Sequence, residues 1–218
     1  MTWDWEAARE ALPLLLEGLV VTLEITALAS LLSYALGLVF AMIRQARIPV
    51  LSQVTFLFVE FVRSTPLLVQ VFMFFYVIQA QTGILLSPFL TGVLVIGVHY
   101  ACYTSEVYRA GIEAVPAGQW EAARALSLPP HRVWTSVVLP QAIPRVLPAL
   151  GNYTIAMFKE TPLLIGIGVL EMLNRAKEYG ATTFSVVESY TIAGLLFLAI
   201  SFASSLLVRG LERRVRSV

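Results

Sequence analysis

The sequence predicts an all-α, polytopic integral membrane protein of about five transmembrane helices, and three observations carry that prediction. The chain is 58% hydrophobic and only 13% charged, with a mean hydropathy of +0.78, far from the roughly 25% charge of soluble domains. Its apolar residues gather into stretches close to the ~20 residues that cross a hydrocarbon core. The intervening segments are more polar and carry arginine or proline. Taken in order, the expected spans are roughly Leu19–Ile43, Val54–Gln79, Leu85–Tyr108, Leu147–Leu170 and Val187–Val208. In the first, Ala29, Ser33, Gly37 and Ala41 recur every four residues, the small-residue stripe that lets membrane helices approach closely. No low-complexity segment or long linker interrupts the chain, so 1–218 reads as one transmembrane domain with a long loop at about 110–146.

Charge sets the expected orientation. An odd number of spans puts the termini on opposite sides, and the loop arginines and lysines choose the sides. Arg44, Arg47, Arg109, Arg124, Arg132, Arg145, Arg209, Arg213, Arg214 and Arg216 fall in one set, against Arg9, Arg175 and Lys177 in the other. This bias places the N-terminus outside and the 110–146 loop and C-terminus in the cytoplasm. The segment Met1 to Glu17 carries four acids against one arginine, the reverse of a secretory leader, so the first span is expected to be retained. A formal net charge of +1 offers no field for nucleic acid. The single cysteine, Cys102, excludes an intrachain disulfide and any cysteine-based metal cluster.

The polar interruption Gly118-Gln119-Trp120-Glu121-Ala122-Ala123-Arg124-Ala125-Leu126-Ser127, followed by Leu139-Pro140-Gln141, reads as a docking surface. Gln119 to Leu126 favours helix, and Pro129-Pro130 stops it within three turns. Its alanines permit close packing by a partner, Trp120 supplies a large anchor, and Glu121 can pair with Arg124. His131 to Val138 reads as a second short turn, and Pro140, Pro144 and Pro148 stiffen the return to the membrane. An ordinary amphipathic surface helix is the plain alternative.

The stretch Glu106 through Leu164 resembles the permease subunits of bacterial ABC importers. Glu121-Ala122-Ala123, with Leu139-Pro140 about a dozen residues after the helix, is similar to their coupling-helix motif. The resemblance implies that this helix docks into a groove of an ATPase subunit. It departs at Ser127, where the family usually has glycine, so the turn leaving the helix is expected to be less tolerant of positive φ. Further runs extend the resemblance over nearly the whole chain, to the subfamily serving polar amino acids of the histidine, glutamine and arginine type. They are Thr22-Leu23-Glu24-Ile25-Thr26, Arg63-Ser64-Thr65-Pro66-Leu67-Leu68-Val69-Gln70, Ser105-Glu106-Val107-Tyr108-Arg109-Ala110-Gly111-Ile112, Leu139-Pro140-Gln141-Ala142 and Lys159-Glu160-Thr161-Pro162-Leu163-Leu164. The resemblance implies a non-catalytic inner-membrane subunit among membrane lipid, paired with a second permease, identical or homologous. Two ATPase subunits holding ATP and Mg, and an extracytoplasmic solute-binding protein, complete the implied assembly. Related permeases carry basic, acidic and amide amino acids, cystine, opines and compatible solutes such as ectoine.

Charged residues inside apolar spans are costly and normally pair or face a water-filled cavity. Glu60, Arg63, Lys159 and Glu160 are such residues, and two of them open a local repeat in which a charge precedes Thr-Pro, at Thr65-Pro66 and Thr161-Pro162. Proline removes a donor and disfavours helix at the residue before it, so each repeat predicts a broken helix with polar ends. Transporters place such breaks at solute sites. Glu60, Arg63, Thr65, Lys159, Glu160 and Thr161 are therefore candidate pathway residues, with Lys159 and Glu160 reading the carboxylate and amino group of a zwitterion; purely structural ion pairing is the open alternative. His99 and Cys102 lie one turn apart, but nothing in the sequence completes a metal or nucleophile site around them. Gly166-Ile167-Gly168 lacks the Gly-Lys-Ser/Thr of a phosphate loop, so the chain is not expected to bind ATP or another cofactor. Two rivals are an intramembrane enzyme using Glu160 or Cys102 and an ATP-independent secondary transporter using the same charges as a proton relay. Both leave the cytoplasmic alanine helix unexplained.

Overall fold

The computed structural model describes residues 3–216, with side chains as far as Arg213; Arg214 and Arg216, counted in the charge bias, have side chains outside the described residues. Ten α-helices make up the architecture among those residues, joined by two π-helical turns and one 3-10 segment. Helix α1 (Trp5–Gln45) begins well before the expected span, capped by the Asp4 carboxylate accepting from the Glu6 and Ala7 amides. At 1.5 Å per residue it is roughly 60 Å long, twice the hydrocarbon thickness. Its first turns therefore project beyond the bilayer.

The second span is broken. Helix α2 (Leu51–Arg63) ends at the Thr65-Pro66 step, and α3 (Leu67–Phe72), a π turn (Met73–Ile78) and α4 (Gln79–Thr82) leave it at 106°. The break falls inside the Val54–Gln79 span at the Thr65-Pro66 step where the sequence predicts it, for the reason the proline supplies. Backbone carbonyls freed by the break are not left bare. Thr65 Oγ1 donates to the Phe61 and Val62 carbonyls, and Gln70 Nε2 donates to those of Val62 (2.8 Å) and Thr65 (3.1 Å). Each buried carbonyl left unpaired would cost about 1–3 kcal/mol.

Helix α5 (Pro88–Glu113) lies against α1, and the small-residue stripe faces it. Ala29, Ser33, Gly37 and Ala41 are all buried. A Cβ on Gly37 would fall 2.1 Å from Thr104 Oγ1, so only glycine allows this approach. Thr104 Oγ1 then donates across the interface to the Ser33 carbonyl at 2.9 Å. The chain continues through α6 (Ala117–Ala125) and α7 (Pro130–Arg132), then a second π turn (Val133–Val138) and α8 (Leu139–Glu160). The short turn expected over His131 to Val138 is the start of a continuous helical rod into α8, within which Pro144 and Pro148 lie.

The fourth span is broken too. After Glu160 the chain tightens into a 3-10 segment (Thr161–Ile167) that ends on Gly168 in the left-handed region, φ +80°. Helix α9 (Met172–Thr183) follows, a surface helix that hydropathy does not announce, and α10 (Val186–Arg216) closes the bundle. Helix α9 gives the projecting end of α1 its partner: Ala11 and Leu15 pack with Met172, Ala176, Tyr179 and Ala193 of α9 and α10. Tyr179 Oη also donates to the Ala7 carbonyl. By length and apolar composition, α1 and α10 each qualify as a membrane span, and the broken α2–α4 unit makes a third. Helices α5 and α8 are long enough at 26 and 22 residues, but they spend positions on polar contacts inside the bundle.

Candidate functional site

Two regions stand out, one exposed at the base of the bundle and one threaded through it. The first is α6. It begins two residues earlier and ends one residue earlier than expected, and its inner face is fixed by Trp120 and Ala123. Trp120 meets Trp134 edge to face at 5.5 Å between ring centroids and packs beside Ile112, Val115, Val138 and Ala142. Such a ring pair contributes about 0.5–1.5 kcal/mol beyond its buried area. Trp120 thus anchors the helix to its own chain, a correction to its expected role as an anchor for a partner. Gln141 Nε2 ties α8 to Gln119 Oε1 at 3.3 Å, and the Arg145 guanidinium donates to the Ala114 carbonyl. These contacts join α8 to α6 and to the end of α5.

The outer face is bare. Gly118, Gln119, Glu121, Ala122, Arg124, Ala125, Leu126 and Ser127 are exposed, and open space surrounds Gly118. The expected Glu121–Arg124 ion pair does not form; among the described residues, neither side chain has an ion-pair partner within 4.0 Å. Leu126 is 73% exposed, a large apolar group at the tip of a polar helix. Leu139 is half-buried and Pro140 is exposed where α8 begins.

Ser127 takes the left-handed conformation, φ +51°, despite its Cβ. The Leu128 amide donates to the Ala123 carbonyl at 3.1 Å and the Ser127 amide to that of Arg124 at 2.9 Å, the paired bonds of a Schellman cap. The left-handed region costs a residue with a side chain about 1–2 kcal/mol, while replacing it with glycine adds chain freedom to the unfolded state worth about 0.4–1 kcal/mol. Ser127→Gly is therefore expected to leave stability unchanged or raise it by up to about 1.6 kcal/mol, read from thermal unfolding in detergent. A lower melting temperature would mean that the cap is not what sets this turn.

The second region surrounds the two breaks. Arg63, at the end of α2, lies 5.4 Å from the centroid of the Tyr103 ring. Tyr103, Tyr100 and Tyr153 form a cluster with centroids 5.7–5.8 Å apart. His99 extends it, 5.2 Å from Tyr103, and its Nδ1 donates to Gln70 Oε1 at 3.0 Å, a tautomer set by Gln70 Nε2 already donating elsewhere. Glu160 reaches the cluster at the Tyr100 hydroxyl. Two charged groups keep a buried polar atom without a hydrogen-bond partner here, Nε of Arg63 and Oε2 of Glu160. The segments beyond the breaks also touch, with Tyr76 Oη donating to the Gly166 carbonyl at 2.7 Å and Phe72 lying under Gly166.

The remaining candidates divide. Glu60 pairs with Arg63 at 3.0 Å. Arg63 lies 4.0 Å from Glu106, whose carboxylate also binds Arg44 and takes two bonds from Arg109, so this charge cluster ties α1, α2 and α5 together. The Thr65 and Thr161 hydroxyls are spent on local carbonyls, Thr161 on that of Phe158 at 2.9 Å. Lys159 is exposed. It forms no ion pair within 4.0 Å among the described residues, Glu160 included. The tyrosines, Gln70 and His99 are not among the pathway residues expected from the sequence, where His99 is weighed only beside Cys102 as a metal or nucleophile site; the available signal is the run of hydroxylated aromatics at Tyr100 and Tyr103, one helical turn apart in an apolar span.

Known proteins share this architecture. The family described as the inner membrane component of binding-protein-dependent transport systems matches residues 33–217. A probable amino-acid ABC transporter permease, y4tG of Sinorhizobium fredii (strain NBRC 101917 / NGR234), is 44% identical over 213 residues, covering 95% of this chain and 92% of the relative. The glutamine transport system permease GlnP of Escherichia coli (strain K12) is 34% identical over 217 residues, covering 99% of each. A crystal structure of an amino acid ABC transporter with histidines superposes with a TM-score of 0.91 at 34% identity, covering 98% of this chain and 100% of that one. With the match running through both breaks and α6, the chain belongs to the family of inner membrane components of binding-protein-dependent transport systems.

Proposed function

We propose that this chain is the permease subunit of an ATP-driven importer for amino acids or related small zwitterions, and that it carries no hydrolytic chemistry of its own. The carrying observation is α6, a short helix bolted to the bundle by Trp120 and otherwise bare. In this reading its outer face docks on an ATPase subunit, which holds the ATP and Mg, and closure of two such subunits swings α6 together with the rod into α8. A second permease copy or homologue completes the pathway, and an extracytoplasmic binding protein delivers the solute. The N-terminus lies outside and the C-terminus in the cytoplasm, as the arginine bias favours.

Within the pathway, Glu160 takes the solute's ammonium group beside Tyr100, and Arg63 takes its carboxylate beside Tyr103. Their unpartnered buried atoms support this assignment, because such atoms are costly unless something fills the position. Lys159 faces outward, toward the second permease. Glu60, Thr65 and Thr161 hold the geometry of the broken helices. Affinity purification of the tagged chain in mild detergent from its native host is expected to bring down an ATPase subunit in near-stoichiometric amount. Its absence, under conditions that keep other membrane complexes together, would overturn the importer reading.

A further inference from the structure

A cavity of about 320 Å³ opens where α1 ends and α2 begins, lined by Arg44, Gln45, Arg47, Ser52, Gln53, Phe56, Arg109 and Glu113. None of its lining residues belongs to α6 or to the tyrosine cluster. Three of its lining groups are guanidiniums, and they are committed to different degrees. Arg109 is spent on Glu106 and on Glu113, the latter at 2.6 Å. Arg44 gives NH1 to Glu106 and stands over the Phe56 ring at 5.3 Å. The Arg47 side chain makes no hydrogen bond or ion pair among the described residues, and it sits on a turn where both Arg47 and Val50 have positive φ, +51° and +66°. Ser52 and Gln53, in the first turn of α2, line the same cavity.

The mouth of this basic cavity continues into an apolar surface. Val50, Leu51, Val54, Leu57, Phe58 and Phe61 are all exposed and recur at helical spacing down one side of α2. Arg44, Arg47 and Arg109 follow the first and third expected spans directly, at the level of lipid headgroups. A cationic pocket at headgroup depth, opening onto an apolar face that runs toward the bilayer centre, matches a phosphodiester with two acyl chains better than a free anion. We propose that this corner is a binding site for one anionic phospholipid, its phosphate held by Arg47 and Arg44, its chains lying along the Val54–Phe61 face.

The test uses the chain purified together with its partner subunits, incubated with phosphatidylglycerol or phosphatidylcholine of the same acyl chains, and read by native mass spectrometry. Wild type is expected to retain phosphatidylglycerol in preference to phosphatidylcholine. Arg47→Gln, which breaks no hydrogen bond or ion pair among the described residues, is expected to lower that retention about fivefold, the worth of one basic residue near an anionic headgroup. Arg47→Lys should restore it, and Arg209→Gln, on α10, should leave it unchanged. Equal retention of the two lipids by wild type, or equal loss in Arg47→Gln and Arg209→Gln, would overturn the proposal. So would inorganic phosphate raising the wild-type melting temperature as much as phosphatidylglycerol does, since the ligand would then be a free anion.

Discussion

Glu121→Arg is expected to abolish co-purification of the ATPase subunit and to reduce solute uptake by at least about 30-fold, with the chain itself intact. The side chain is exposed on the bare face of α6 and has no ion-pair partner among the described residues. Reversing its charge therefore removes nothing that holds the fold, and the melting temperature of the purified chain should not move. In a docked complex the same change places a cation where an anion was accommodated. Misplaced charges at interfaces cost several kcal/mol, and about 2 kcal/mol already corresponds to roughly 30-fold in affinity. Size-exclusion elution and thermal unfolding establish folding; pull-down and uptake read the coupling. A variant that retains the ATPase and transports normally would show that α6 is only a surface helix.

The parts of this molecule that the sequence made legible are those set by local chemistry. Thr65-Pro66 and Thr161-Pro162 announce their breaks because proline acts on its own carbonyl one turn back and on the residue before it. The exposed helix at α6 is legible for a similar reason: alanine-rich composition between Pro116 and Pro129 leaves few alternatives. What the sequence concealed depends on partners far away in the chain. Trp120 has an exposed-anchor pattern in one dimension, and only the arrival of Trp134 turns it inward. Helix α9 has a polar composition that reads as a loop until α1 supplies an apolar surface at Ala11 and Leu15. Residues Trp5 to Glu17 likewise precede the expected first span, and α9 and α10 give their helix its packing partner. Ser127 shows the opposite limit. Its residue type argued against a left-handed turn, and two cap hydrogen bonds outweighed that local preference.

Glu160→Gln separates solute recognition from coupling, because the substitution keeps shape and removes charge. Uptake is expected to fall about 10- to 100-fold, the worth of one hydrogen bond to a charged group, while the ATPase subunit still co-purifies. Arg63→Gln offers less clean a comparison, since that side chain also pairs with Glu60 and approaches Glu106. The competing explanation is a structural Lys159–Glu160 pair. It predicts that Lys159→Gln and Glu160→Gln each cost the same and that the double variant costs no more than either. The geometry argues otherwise: Lys159 is exposed and lies beyond 4.0 Å of the Glu160 carboxylate, whose Oε2 is buried and unpartnered. Additive effects on uptake, with an unchanged melting temperature in Glu160→Gln, are thus expected for two groups that do not pair, Glu160 meeting the solute and Lys159 facing outward. A double variant equal to the single ones would return both residues to the scaffold. Loss of the ATPase along with uptake in Glu160→Gln would place the residue in the coupling path instead of the solute path.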